Sequence, residues 1–405
     1  VGFNRVRGLA DWLALNRDMA VMVVAVFLIT AGNQLWTKYM PKYLAYLGAG
    51  IWVIGFYGFM EQFLGAVYQY PGGLVADRLG AKRALVFFTL VSALGYAVFL
   101  LADSWQLILV GTVLALIWES MSSPAIFALI GDVLPRDKRA MGFSVQSILK
   151  RLPIIVAPPL GGYLIEVYGY RGGMRIGFAV SIVAALAAAF LQEKFYTPRT
   201  RRSRGFESPF SLWPLMPASL KKLLVSDVLA RMASYMVKVY VVLYVLDVLG
   251  ATPVMYGLLV SLQMAAAISS YLPAAKLADT YGRGPFISAT FAAFSLFPLA
   301  LALTTSPGLL PAAFLIAGLR EIGEPARKAL IVDLSGEAHR GKVIGLYYLI
   351  RESVTMPAPL IGAALWALTP RLPFYAAFLV GSLSLAFFLA TRPDREGEGA
   401  EDKYY

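Results

Sequence analysis

Two stretches of this chain, 201 positions apart, carry one pattern. Pro124-Ala125-Ile126-Phe127-Ala128-Leu129-Ile130-Gly131-Asp132 and Pro325-Ala326-Arg327-Lys328-Ala329-Leu330-Ile331-Val332-Asp333 both read P-A-x-x-A-L-I-x-D. Each lies within a long apolar stretch. A duplicated set of membrane helices, with a site between the two halves, is the architecture such a repeat implies.

The remaining sequence fits a membrane solvent. Of 405 residues, 59% are hydrophobic and 15% charged, too little polar surface for a soluble chain of this length. About twelve apolar segments can span a hydrocarbon core of roughly 30 Å as helices, at 19–40, 51–76, 84–101, 106–131, 141–166, 176–192, 222–247, 254–278, 286–304, 309–332, 342–367 and 374–391. The first is long enough to stay in the membrane, so it reads as a span rather than a cleaved leader.

The net charge of +12 follows topology rather than a nucleic-acid partner. With the N-terminus inside, about 23 Lys and Arg fall in inside segments and about 4 outside, as the positive-inside rule requires. Both termini are then cytoplasmic, in a multi-pass protein of the plasma membrane. The chain has no cysteine and a single histidine, His339, which excludes disulfides, thiolate metal sites, cysteine catalysis and His-based metal clusters and triads. It carries no G-x-x-x-x-G-K-S/T phosphate loop. A non-enzymatic protein without cofactor or metal is expected.

The halves are taken as 1–192 and 220–405, joined by a cytoplasmic linker at 193–219. The linker holds Arg199, Arg201, Arg202 and Arg204 among prolines, which sets topology or meets anionic headgroups. Further matches extend the repeat. Ala157-Pro158-Pro159-Leu160-Gly161 aligns with Ala358-Pro359-Leu360-Ile361-Gly362, and Pro71 to Asp77 with Pro273 to Asp279. The fold class is an all-α integral membrane protein, twelve transmembrane helices in two pseudo-symmetric six-helix bundles.

Gly73-Leu74-Val75-Ala76-Asp77-Arg78-Leu79-Gly80-Ala81-Lys82-Arg83 resembles the loop motif of the major facilitator superfamily, G-x-x-x-D-R-x-G-R-R/K. A degraded copy, Ala275 to Arg283, stands at the same place in the second half. Ala81 and Ala275 depart from the pattern. Read from the residues alone, Gly80 permits a tight turn and Asp77 can cap a helix or meet an Arg. The resemblance implies that such loops latch the halves on the cytoplasmic side, Asp77 toward Arg340 and Asp279 toward Arg139. The latch set is Gly73, Asp77, Arg78, Gly80, Arg83, Asp132, Arg139, Asp279, Arg283, Asp333 and Arg340; the alternative is a plain surface turn. Ala157 to Gly162 is similar to the family's antiporter motif G-P-x-x-G-G, with Ala157 for its glycine.

Charges inside the segments carry the functional argument. The tenth segment places Arg320, Glu321, Glu324, Arg327 and Lys328 within about 120° of helical arc, where Arg320–Glu324 and Glu324–Lys328 can pair four apart. Glu119 stands 13 residues before Asp132, as Arg320 does before Asp333, so the two are repeat mates. Glu61, Glu119, Glu321, Glu324 and Glu352 are the candidate proton carriers. Glu61, with neutral Gln62 and Gln69 nearby and neutral Gln263 as its mate, reads as the carboxylate with least local compensation. Candidate substrate contacts are Asn33, Gln34, Trp36, Lys150, Arg151, Tyr235, Lys238, Gln263, Arg320 and Arg351, with Tyr240 nearby. Intramembrane charges of this kind line a wet pathway or tie helices together, and both readings stand here.

The expectation is a monomeric secondary transporter of a small organic solute, driven by protons through alternating access, with efflux by antiport ahead. A proton symporter importing an organic anion and a facilitative uniporter are the alternatives. A non-transporting sensor on the same fold stays open.

Overall fold

In hydrocarbon every backbone N–H and C=O must be satisfied within its own segment, so apolar stretches of this length fold as helices. A computed structural model describes residues 17–134, 139–196, 213–214, 216–335 and 340–395, and every regular element among them is helical. Contacts divide the chain into two compact units. The first comprises Val1–Ala49, Phe63–Gly205 and Thr252–Leu258; the second comprises Gly50–Gln62, Phe206–Ala251 and Leu259–Tyr405.

The first half of the chain supplies α1 (Arg17–Gln34), a 3-10 turn (Thr37–Tyr39), α2 (Met40–Tyr46), α3 (Ile51–Val67), α4 (Gln69–Leu79), α5 (Ala81–Leu101), α6 (Trp105–Val133) and α7 (Arg139–Phe195). The core of the first unit gathers Met19, Met22 and Val26 of α1 with Phe88 of α5 and Trp118 and Leu129 of α6. The second half supplies α8 (Ala218–Lys238), α9 (Val241–Leu243), a π turn (Tyr244–Val248), α10 (Pro253–Tyr281), α11 (Gly284–Leu303) and α12 (Leu310–Leu319). It continues with α13 (Glu324–Leu334), α14 (Arg340–Thr355), α15 (Ala358–Leu368) and α16 (Leu372–Thr391). Leu223 of α8, Phe291 of α11, Leu330 of α13, Tyr347 of α14 and Phe388 of α16 meet in the second core.

Eight helical stretches among the described residues are long and apolar enough to cross a membrane, or nine if the bent pair Ala218–Lys238 and Val241–Val248 counts as one span. One of the eight, Leu149–Phe195, has 47 residues. At 1.5 Å per residue that is about 70 Å, more than twice a hydrocarbon core of about 30 Å. It joins the fifth and sixth apolar segments and bends at Gly169, where φ is 70°.

Among the described residues five expected segments are interrupted: the first at Leu35 and Trp36, the second at Tyr68, the seventh at Val239 and Tyr240, and the tenth and eleventh. The tenth was read as one charged helix, but α12 ends at Leu319 and α13 starts at Glu324. The cause is local. Pro325 lacks a backbone donor and opens a new helix, while the Gly323 N–H donates to the Thr290 hydroxyl at 2.7 Å. A side chain at Gly323 would run into the Phe286 carbonyl. The eleventh segment parts in the same way at Met356 and Pro357, between α14 and α15.

The repeat survives as a hydrogen bond. The Tyr39 hydroxyl donates to the Pro158 carbonyl at 2.8 Å, and the Tyr240 hydroxyl donates to the Pro359 carbonyl at 2.7 Å. Both residues of the second pair stand 201 positions after those of the first.

The loop motif turns at Gly80, with φ 81° and ψ 155°, a conformation open in practice only to glycine. Gly80→Ala is expected to lower stability by about 1–3 kcal/mol. Gly345, whose Cβ would meet nothing within 4 Å, serves as the control. Gly345→Ala should leave stability unchanged or raise it by about 0.5–1 kcal/mol in equilibrium unfolding of the detergent-solubilised protein.

Candidate functional site

Polar residues gather in two settings, one in each unit. In the first, Val26, Thr30, Asn33, Gln34 and Thr37 recur at helical spacing and share one face of the first span. α6 adds Trp118, Glu119, Ser122, Ser123, Ile126 and Phe127, and α7 adds Gln146, Lys150 and Ile154. These residues line an open cavity of about 100 Å³. Glu119 and Lys150 are exposed to it, and among the described residues neither has an ion-pair partner. The Asn33 amide donates to the Tyr96 hydroxyl at 2.8 Å, which leaves the Asn33 Oδ1 atom without a donor. The buried Gln34 Oε1 atom also lacks one.

Trp36 differs from its expected role. Its Nε1 donates to the Ser181 hydroxyl at 2.8 Å, and its ring packs edge-on against Tyr96, Phe99 and Phe178. It is a core residue of the first unit and does not line the cavity. Arg151, beside Lys150, does not line it either.

In the second unit the charges find one another. Asp227 on α8, only 1% exposed, accepts from Arg327, from Arg351 at 3.0 Å and from the Tyr347 hydroxyl at 3.0 Å, all on Oδ2. Its Oδ1 faces Arg231 Nε at 3.7 Å, an ion pair without a hydrogen bond. Glu324 takes Arg231 at 3.1 Å, Arg327 at 2.7 Å and Lys328 at 3.6 Å. Glu352 accepts from Arg351 and, at 3.4 Å, from the Tyr235 hydroxyl. Three carboxylates and three guanidinium groups thus interlock across α8, α13 and α14.

The break in the tenth segment redirects Arg320. The expected Arg320–Glu324 pair does not form, because the two residues no longer share a helix. Arg320 Nε donates to the Ala317 carbonyl at 2.9 Å and Nη1 to the Ser234 hydroxyl at 3.3 Å. Its guanidinium lies over Phe294 and Phe297, 5.5 and 4.8 Å from the ring centres. Glu321 falls in the turn between the helices, while the Glu324–Lys328 pair forms as its spacing predicts.

Glu61 is also compensated, contrary to its reading from sequence. Lys238 Nζ donates to it at 3.1 Å and the Tyr57 hydroxyl at 3.3 Å. The partner stands 177 positions away, so no local inspection finds it. Gln263 sits half-buried on α10, with its backbone carbonyl against Gly318.

Of the loop residues, Gly73, Asp77, Arg78, Gly80 and Arg83 are described, and Arg283 pairs with Asp333. The side chains of Asp132, Arg139, Asp279 and Arg340 lie outside the described residues, as does the arginine-rich linker stretch 197–212.

Sequence reasoning missed Asp227, Arg231 and Tyr347, the centre of the sealed network. A signal was present: an aspartate and an arginine four apart in the middle of α8.

The model of the Major Facilitator Superfamily matches residues 22–228 and 223–403. Multidrug resistance protein MdtG of Enterobacter lignolyticus (strain SCF1) is 25% identical over 390 residues, covering 92% of this chain and 90% of that protein. Quinolone resistance protein NorA of Staphylococcus aureus (strain MRSA252) is 25% identical over 198 residues, 48% of this chain and 49% of its own length. Among solved structures, the nucleoside transporter NupG superposes with a TM-score of 0.76 at 10% identity, covering 92% of this chain and 98% of that one. That likeness shows the fold.

Removing one member of a buried ion network leaves its partners charged and dry, at a cost of about 3–5 kcal/mol. Asp227→Asn should destabilise the protein by that order in equilibrium unfolding. Glu119→Gln, at an open wall without an ion-pair partner, should leave the unfolding curve in place. Equal destabilisation by both would contradict the division into a sealed and an open set.

Proposed function

Since the chain belongs to the major facilitator superfamily, we propose that it is a proton-coupled exporter of small organic molecules, with Glu119 as the coupling carboxylate. The observation that carries this reading is the first unit's cavity, where Glu119 faces open space with no ion-pair partner among the described residues. Glu324 and Glu352 are held by guanidinium groups, Glu61 by Lys238, and Glu321 borders the turn beside Arg320. A carboxylate locked in an ion pair cannot exchange its partner for a proton without breaking that pair. Among the described residues Glu119 has no such pair to break.

Coupling then follows from occupancy. The ionised Glu119 holds a cationic group of the solute. Once a proton arrives from the outside medium, that attraction is lost and the solute leaves. Exchange of one for the other at a single carboxylate is antiport. Resemblance to multidrug resistance proteins across nine-tenths of the chain supports export over import.

The surrounding architecture belongs to the same proposal. Twelve spans form two six-helix bundles, 1–192 and 220–405, joined by a cytoplasmic linker at 193–219, and they alternate access in a monomer of the plasma membrane with both termini cytoplasmic. The 47-residue stretch bent at Gly169 supplies two spans, and the interrupted tenth and eleventh segments supply one each. The glycine turn at Gly80 and the Arg283–Asp333 pair support a loop latch that completes on Asp77, Asp279, Arg139 and Arg340.

Everted membrane vesicles with an acidic lumen test the coupling. Addition of ethidium should drive protons out of the lumen, read as dequenching of an acridine dye. Glu119→Gln should slow that release by about tenfold or more, a loss of at least about 1.4 kcal/mol of coupling. Full proton release from the Glu119→Gln protein would remove Glu119 from the mechanism.

A further inference from the structure

The cavity that holds Glu119 also holds a charge of the opposite sign. Glu119 and Lys150 both face it, from α6 and α7, and among the described residues neither is matched by a protein partner. A bilayer-spanning protein keeps an unmatched charge only where water or a ligand matches it. Here two such charges share one chamber without forming a pair with each other.

The repeat shows the alternative. The mates of Glu119 and Lys150 are Arg320 and Arg351. Arg351 is matched by Asp227 and Glu352, and Arg320 by Ser234 and two aromatic faces. At these positions the second unit satisfies its cations internally, while the first leaves an anion and a cation to the chamber.

Resting on the exporter reading, we propose that the first-unit cavity selects amphoteric solutes, molecules with an ammonium group and a carboxylate joined by an apolar body. The ammonium meets Glu119, beside Asn33 and Gln34 in the cavity wall. The solute carboxylate meets Lys150. Phe127 and Ile154 cover the apolar body. A purely cationic solute that displaces water from the cavity strands Lys150, and a purely anionic one strands Glu119. Either loses a charge-assisted contact that the amphoteric solute keeps.

Three related aromatic probes separate these cases: norfloxacin, which carries both charges, its methyl ester, which keeps the ammonium, and N-acetylnorfloxacin, which keeps the carboxylate. Their affinities for the purified protein are read from ligand-induced thermal stabilisation at pH 7 with no proton gradient. Norfloxacin should bind about tenfold more tightly than either derivative, as one charge-assisted hydrogen bond warrants. In Lys150→Gln, norfloxacin and its ester should bind alike. In Glu119→Gln, norfloxacin and its N-acetyl derivative should bind alike. Exchange of both charges, Glu119→Lys with Lys150→Glu, should restore the preference for norfloxacin.

The proposal is overturned if the wild-type protein binds all three alike or none of them. It is equally overturned if each single substitution weakens all three in parallel. Ethidium-driven proton release, measured on the same protein in vesicles, keeps the two readings apart. If release persists without a preference for norfloxacin, the exporter stands and the charge selection fails. If the preference is present without release, the selection stands and the exporter reading fails.

Discussion

A charge inside hydrocarbon must be matched by an opposite charge or by water, and this chain meets the requirement in both ways. Asp227 is the pivot of the first. Its carboxylate draws in Arg327 and Arg351, faces Arg231 and accepts the Tyr347 hydroxyl, so α8, α13 and α14 share one buried network. Such a network adds little net stability against an apolar core of equal volume. Removing one member leaves its partners charged and buried, so the network ties the three helices to one arrangement of these side chains. The break after Arg320 belongs to the same arrangement, because it lets Glu324 begin a new helix where Arg231 and Arg327 reach it.

The first unit meets the requirement with open space. Its polar residues lie on three helical faces around a chamber, and among the described residues Glu119 and Lys150 there have no ion-pair partner. Both units nevertheless derive from one repeat, and the backbone scaffold keeps a trace of it in the bonds from Tyr39 to Pro158 and from Tyr240 to Pro359. Divergence is concentrated in the side chains that occupy the repeat positions. Glu119 stands where the second copy has Arg320, Lys150 where it has Arg351, and Asn33 where it has Ser234. One copy of the scaffold joins its charges in a network, and the other holds Glu119 and Lys150 at an open cavity.

What could be read from the sequence follows from the range of the interactions involved. Helical spans are dictated by length and apolarity, both local properties, and eight or nine stretches among the described residues are helices long and apolar enough to cross a membrane. The turn at Gly80 was legible for the same reason, since one residue's conformational freedom decides it. The Glu324–Lys328 pair is set by helical spacing alone. The helix break at Gly323 had a local signal in Gly323-Glu324-Pro325, but the charge stripe across it suggested continuity. Glu61 and Lys238, or Asp227 and Arg351, stand 177 and 124 positions apart and meet only in the folded chain, so their pairing had no signature along it. Trp36 was misread for a related reason: a helical aromatic beside polar residues looks like a site, and only the packing of Ser181 and Phe178 against it shows it to be core.

The account turns on where water and solutes reach the interior polar groups. The chain contains no cysteine, so single cysteines report accessibility without background. Replacements at Ser123 and Gln146 in the first-unit chamber should react with a hydrophilic thiol reagent. Replacements at Ser226 and Thr355, both fully buried in the second unit, should resist it. Reaction at Ser226 and Thr355 with protection at Ser123 and Gln146 would contradict the account, since the wet compartment would then lie with the ion network rather than with Glu119 and Lys150.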